Sequence, residues 1–203
     1  MEIARLHPEQ VKAFVGVHPS EALKQEGLGW LEEALRRAAG LGEVGLDPTY
    51  SPVGREESQM KVFRGQLELA ERIGRPVQVH SRRAEADALD TLGTFRLKSV
   101  LMHWLESEEA LPGALARGYY VSFGPALLFS KKLQRMARAT PPDQALTETD
   151  APVSYGPLKG VAGPSLIPSV VFKLAEVWGT GFEEARGAVA AGSLRFLGPT
   201  EKG

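Results

Sequence analysis

Four side chains with metal-ligand chemistry stand at or just beyond the ends of short apolar runs: Glu43, His80, His103 and Asp150. Two imidazoles and two carboxylates make a nitrogen and oxygen donor set suited to Zn²⁺, Mn²⁺ or Mg²⁺, and residue types alone leave the choice of ion open. The chain has no cysteine, so a thiolate site, a cysteine nucleophile and a disulfide are all excluded. Each residue also has a plainer reading. His80, closing Pro76-Val77-Gln78-Val79, is either a ligand or a hydrogen-bonded structural histidine. Glu43 lies inside the run Leu41-Gly42-Glu43-Val44-Gly45-Leu46, where a buried charge costs several kcal/mol unless a cation or strong donors meet it. Its plainer reading is a salt bridge to an arginine. Glu148 and Asp150, two apart on one expected strand, should share a face.

Those residues need elements to bring them together. Short β-rich runs at Ala13–Val17, Leu41–Leu46, Pro76–His80, Ser99–His103, Tyr119–Phe123 and Ala145–Thr149 alternate with segments of helical period. The helical segments are Ser20–Ala39 with Ser20 as N-cap, Gly54–Ile73, Ala84–Leu92, Ser107–Arg117, Ala126–Ala139, Ser165–Trp178 and Phe182–Ala190. The alternation predicts an α/β, TIM-barrel-like (β/α) fold with parallel strands. A closed barrel needs about eight strands, so the six visible here predict an incomplete one. In such a fold each strand delivers its last side chains to the C-terminal rim, which would gather the four candidates. The stretch from Pro152 to Pro164, dense in Gly and Pro, reads as an irregular loop beside the site.

Length and composition set outer bounds. A chain of 203 residues with 43% hydrophobic and 24% charged residues suits a single domain spanning 1–203 with a substantial core. A net charge of -1 provides no global field for a polyanion, so a nucleic-acid substrate would be held by local bases and metal ions. No stretch approaches the roughly 18 apolar residues of a membrane span, and the N-terminus lacks a signal peptide's apolar core. The expectation is a cytoplasmic protein with no membrane partner.

Several motifs in order resemble the TatD-type metal-dependent hydrolases. Gly16-Val17-His18-Pro19 is similar to that family's G-x-H-P, and Gly42-Glu43-Val44-Gly45-Leu46-Asp47 to its G-E-[IV]-G-L-D. Gln66-Leu67-Glu68-Leu69-Ala70 followed by Pro76-Val77-Gln78-Val79-His80-Ser81-Arg82 resembles its helix and P-V-x-x-H-x-R strand end. His103 fills the histidine position of H-C-F-S-G, Tyr120-Val121-Ser122-Phe123-Gly124 resembles Y-x-S-x-[SG]-G, and Glu148-Thr149-Asp150-Ala151-Pro152 resembles E-T-D-[AS]-P. The resemblance implies a TIM barrel whose divalent ions, one or two per chain, hydrolyse phosphodiester bonds in DNA. It also implies roles: Glu43 bridges the metals, His80 and His103 complete one shell, and Asp150 binds the other metal or handles the proton of the attacking water. Arg82 and His18 become candidates for contacting the phosphate, against plainer readings as a solvated arginine and a turn histidine.

The chain departs from the family pattern in three places. The D-x-H-x-H strand that supplies two histidine ligands is not found, and His7-Pro8 does not replace it. H-C-F-S-G is here His103-Trp104-Leu105-Glu106-Ser107, which adds negative charge on the expected substrate path, and the [KR]-N-x-P loop survives only as Ala162-Gly163-Pro164. Two missing strands would leave unpaired edges, to be covered by the chain's own helices or by a second subunit in a homo-oligomer, with Phe14 and Trp30 as interface or core material. The expected function is metal-dependent phosphodiester hydrolysis, with a catalytically weak remnant acting as a binding or scaffold protein as the alternative. Hydrolysis of a lactone or amide would follow only by analogy with wider relatives.

Overall fold

The computed structural model describes residues 2–25, 27–51, 56–158 and 160–198. The chain divides into two compact units, Met1–His103 and Trp104–Gly203.

The first unit carries four strands, β1 (Phe14–Val15), β2 (Gly40–Gly45), β3 (Val77–His80) and β4 (Val100–Met102), each parallel to the next. The register pairs Phe14 with Gly40, Gly45 with His80 and Val79 with Met102. Alternation along β3 sends Val77 and Val79 into the core and leaves Gln78 and His80 on the opposite face. Helices α1 (Glu2–Leu6), α2 (Gly29–Arg37), α3 (Glu56–Ile73) and α4 (Glu85–Leu92) fill the connections. Leu31 and Leu35 of α2, Phe63, Leu67 and Ala70 of α3, and Leu92 of α4 pack with Leu41, Val44, Val77 and Val79 in the buried interior. The spacing of four between Leu31 and Leu35, and of four, three and seven among Phe63, Leu67 and Ala70, is what gives α2 and α3 an apolar face.

On the same face of α3, two glutamines interrupt the apolar pattern, and both are buried. Gln66 pairs with both backbone groups of Val17: its Oε1 accepts from the Val17 N–H at 2.6 Å and its Nε2 donates to the Val17 carbonyl at 3.1 Å. Gln59 does the same for Asp47, at 2.9 and 2.8 Å, and also donates to the Pro19 carbonyl at 3.3 Å. Buried backbone groups beyond a strand's end have lost their ladder partners and must find others. One helix thus holds the chain just past β1 and just past β2.

The second unit has β5 (Tyr120–Phe123) parallel to β6 (Ala145–Thr147), with α5 (Leu111–Ala116), α6 (Lys131–Ala139), α7 (Ile167–Trp178) and α8 (Phe182–Leu197). Val121, Phe123, Leu133, Met136 and Leu174 are among its buried side chains, and the Trp178 indole donates to the Ala137 carbonyl at 2.9 Å. Helix α7 stops at Gly179, whose φ of 71° is readily adopted only without a Cβ. No helix among the described residues is long and apolar enough to cross a membrane.

The α/β alternation and six strands agree with the sequence reading, and the differences lie at the ends. The expected helix Ser20–Ala39 is two pieces, a 3₁₀ segment Pro19–Lys24 and α2, separated by extended backbone at Gln25 and by a glycine-flanked turn. Ser20 is not the cap. His18 is, its ring accepting from the Ser20 N–H. Ser130 likewise splits Ala126–Ala139 by capping α6, because its hydroxyl accepts from the Leu133 N–H. Helix α5 starts later than Ser107, whose hydroxyl instead accepts from the Ala110 N–H, and α8 runs on to Leu197. The first residues of the expected Gly54–Ile73 helix lie outside the described residues. Trp30 is exposed rather than core, while Phe14 is half-buried.

Replacing Gln66 with leucine keeps the bulk and strips Val17 of both hydrogen bonds, at an expected cost of about 2–4 kcal/mol. A urea titration should show a lower midpoint at unchanged slope. An unchanged midpoint would mean that Val17 finds other partners.

Candidate metal centre

β2, β3 and β4 run parallel, so their C-terminal ends lie side by side and present Glu43, His80 and His103 together. Glu43 Oε1 lies 3.2 Å from His80 Nδ1 and 3.2 Å from His103 Nε2. Its other oxygen faces His18 Nε2 at 4.0 Å, on the segment leaving β1. The His18 and His80 rings sit edge to face, with centroids 4.9 Å apart. One carboxylate therefore lies among three imidazoles, His103 buried and the others half-buried.

Glycine makes the approach of β2 to β3 feasible. Gly45 has φ 142°, and a Cβ there would stand 1.9 Å from the His80 carbonyl oxygen, the atom that accepts from the Leu46 N–H at 3.0 Å. Any side chain at position 45 would push the end of β3, and His80 with it, away from β2.

A second carboxylate backs the first. Asp47 has no exposed surface. Its Oδ2 accepts from His80 Nε2 and Arg82 Nε, each at 2.8 Å, and its Oδ1 accepts from the Thr49 N–H at 2.9 Å and the Thr49 hydroxyl at 2.6 Å. Arg82 also donates to the Thr49 hydroxyl at 2.5 Å and lies 5.2 Å above the ring of the exposed Tyr50.

These contacts set the charges. Burial presses the Glu43 carboxyl upward, but the His80 hydrogen bond and the charges of His103, His80 and His18 outweigh it and hold the group below its ordinary range. Asp47 behaves alike: burial is outweighed by hydrogen bonds from Thr49, His80 and Arg82. Burial would lower His80, yet its hydrogen bonds to Glu43 and Asp47 raise it above the usual imidazole value. His18 falls below that value because burial outweighs the pull of Glu43.

The group fits a divalent cation. One donor atom from each of His18, Glu43 and His80 falls within 4.8 Å of the others, and His103 reaches the same carboxylate. All are borderline or hard donors of the kind that Zn²⁺, Mn²⁺ and Mg²⁺ accept.

Of the residues singled out in the sequence, Glu43, His80, His103 and His18 come together in the first unit, with Arg82 joined to them through Asp47. Asp150 belongs to the second unit. It does not share a strand with Glu148 as expected: β6 ends at Thr147, Glu148 makes a last ladder bond to the Phe123 carbonyl at 3.1 Å, and Asp150 turns off with φ 49°. The same-face argument therefore does not apply to that pair. Glu148 instead accepts from Ser122 at 2.5 Å, and Tyr155 donates to the Thr149 carbonyl at 3.2 Å. The sequence reading missed Asp47, Tyr50 and the glutamines. Asp47 stood in view as the last letter of the motif begun by Gly42, and Gln59 and Gln66 carried a signal as polar residues seven apart on an apolar helix face.

A carboxylate and imidazole cluster at the C-terminal ends of parallel strands is an arrangement of metal-dependent hydrolases on α/β barrels. A family profile described as "TatD related DNase" matches residues 1–198. "Uncharacterized metal-dependent hydrolase YabD" of Bacillus subtilis is 31% identical over 198 residues, covering 92% of this chain and 77% of the relative. Human "Deoxyribonuclease TATDN3" is 30% identical over 215 residues, covering 97% and 78%. The crystal structure of YJJV, a TatD homolog from Escherichia coli, superposes with a TM-score of 0.86 at 24% identity, over 96% of this chain and 80% of that one, which establishes the TIM-barrel-type fold. The chain belongs to the TatD-related DNase family of metal-dependent hydrolases.

Gly45→Ala should destabilise the protein by more than about 2 kcal/mol, through strain at a positive φ and through the clash with β3. A thermal melt that matches the parent would show that β2 and β3 do not need this approach.

Proposed function

We propose that the protein hydrolyses phosphodiester bonds, with DNA as its substrate, at a divalent-cation site built on Glu43, His80 and His103. The observation that carries this reading is the single oxygen of Glu43 placed 3.2 Å from an imidazole nitrogen of each histidine. A divalent ion bound there supplies the activation of water and neutralises charge that develops on the phosphoryl oxygens. Glu43 and the imidazoles hold and orient it. His18, on the other side of the carboxylate, and Arg82 are positioned to contact phosphate oxygens. Arg82 keeps half its side chain exposed although Asp47 balances its charge. The neighbouring Tyr50 offers an aromatic face to a base, a contact that tolerates any sequence. Asp150 is retained as a metal ligand or proton acceptor on its motif with Glu148, Thr149 and Ala151.

Purified protein should cleave a chromogenic phosphodiester and single-stranded DNA when Mg²⁺, Mn²⁺ or Zn²⁺ is supplied in turn. Glu43→Gln and His80→Ala should each lower kcat/KM by about a hundredfold or more, the scale of a lost charged group in a preorganised site. Activity that survives both substitutions would show that the site is misassigned. If no metal binds and no ester is cleaved, the chain is a remnant retained for binding.

A further inference from the structure

The hydrogen-bond partners of the two half-buried histidines dictate where each neutral ring keeps its single proton, and they do so oppositely with respect to Glu43. Both His80 nitrogens face carboxylates, which only accept, and Asp47 Oδ2 lies nearer to Nε2, at 2.8 Å, than Glu43 Oε1 does to Nδ1, at 3.2 Å, so a ring with one proton keeps it on Nε2. The proton that the doubly protonated ring donates from Nδ1 to Glu43 Oε1 at 3.2 Å is the one given up first, and Nδ1 then offers that side a lone pair to a cation. A backbone N–H only donates, so the Ser20 amide at 3.2 Å requires His18 Nδ1 to accept. The proton of His18 then sits on Nε2, the nitrogen aimed at Glu43 Oε2 from 4.0 Å. One ring offers the carboxylate's side a lone pair, the other an N–H. Only a lone pair ligates a metal.

We infer that Asp47 is a positioning residue that holds His80 in its metal-ligating form, and that the Ser20 amide holds His18 as a hydrogen-bond donor to an anionic oxygen rather than as a ligand. The three donors within 4.8 Å therefore divide into a cation half and an anion half. The cation half is Glu43, His80 and His103. His18 serves an oxygen of the phosphodiester, so the inference deepens the proposed function and rests on it for the identity of that oxygen.

Both constraints are anchored. Asp47 Oδ1 is occupied by two Thr49 donors, which fixes the carboxylate's rotation. Gln59 bonds both backbone groups of Asp47 and the Pro19 carbonyl next to His18, so the two segments that set the tautomers are tied to one buried side chain. Such outer partners commonly tune metal affinity by about 10–100-fold.

Asp47→Asn tests the arrangement. The substitution replaces the charged acceptor beside His80 Nε2 with a neutral amide and leaves the Glu43 carboxylate as the charged acceptor beside Nδ1, so the ring's single proton moves to Nδ1 and the ligand atom is lost. Long-range ¹H–¹⁵N spectra of metal-free, ¹⁵N-histidine-labelled protein, at a pH where each ring holds one proton, should place the proton on Nε2 in both His80 and His18. Asp47→Asn should move that of His80 to Nδ1 and weaken Zn²⁺ affinity about 10–100-fold by calorimetry. His18→Ala should leave Zn²⁺ affinity within about threefold while raising KM for the phosphodiester, whereas His80→Ala abolishes Zn²⁺ binding. A parent spectrum with the His80 proton on Nδ1 overturns the inference, and this reading needs no variant should Asp47→Asn fail to fold. Equal loss of Zn²⁺ on His18→Ala and His80→Ala overturns it as well. Absence of Zn²⁺ binding by a parent protein with the expected proton positions would instead overturn the proposed function.

Discussion

An ionised carboxylate shut away from water must find a donor for each lone pair it exposes to the protein, and Asp47 meets that demand with four donors from three residues. Much of the first unit's geometry follows from this. Thr49 is turned back onto the carboxylate, Arg82 is drawn down from solvent, and the His80 ring is set with one nitrogen toward Asp47 and the other toward Glu43. The backbone that carries Asp47 is itself fastened by Gln59 on α3, so a buried charge, a buried amide and a helix act as one support.

Glu43 is the complementary case. Its carboxylate is half-buried and meets imidazoles rather than fixed cations, so its surroundings can exchange protons for a metal ion. This distinction between a carboxylate whose donors are settled and one whose partners can change separates scaffold from reactive site. The metal-free charges agree, since each carboxylate lies below its ordinary range while the two half-buried histidines lie on opposite sides of theirs. The field around the cluster is set by local groups, because the chain as a whole is nearly neutral.

Glycine and glutamine perform the quieter tasks. Gly45 lets β2 come close enough to β3 for Glu43 and His80 to share a hydrogen bond. Gln59 and Gln66 replace the ladder partners that β1 and β2 lose at their ends, where the chain must leave the sheet to form the site. Burying an amide on an apolar helix face is tolerable because every polar atom on it is used.

The sequence by itself determined the α/β alternation, the parallel strands, the placement of His80 and His103 at strand ends and that of Glu43 inside an apolar strand, because apolar periodicity and β-branched runs are local properties. The motifs carried the family. The division of Ser20–Ala39 into two pieces was not readable, since it depends on which group caps the turn: His18 takes the amide that Ser20 was expected to serve. Nor was the departure of Asp150 from its strand, which rests on a backbone turn that composition does not announce. Only the tertiary structure decided which nitrogen of each histidine faces Glu43, and that Asp47, thirty-three residues from His80, governs it. Ring orientation is set by hydrogen bonds between segments distant in the chain, and no local pattern of residues encodes them.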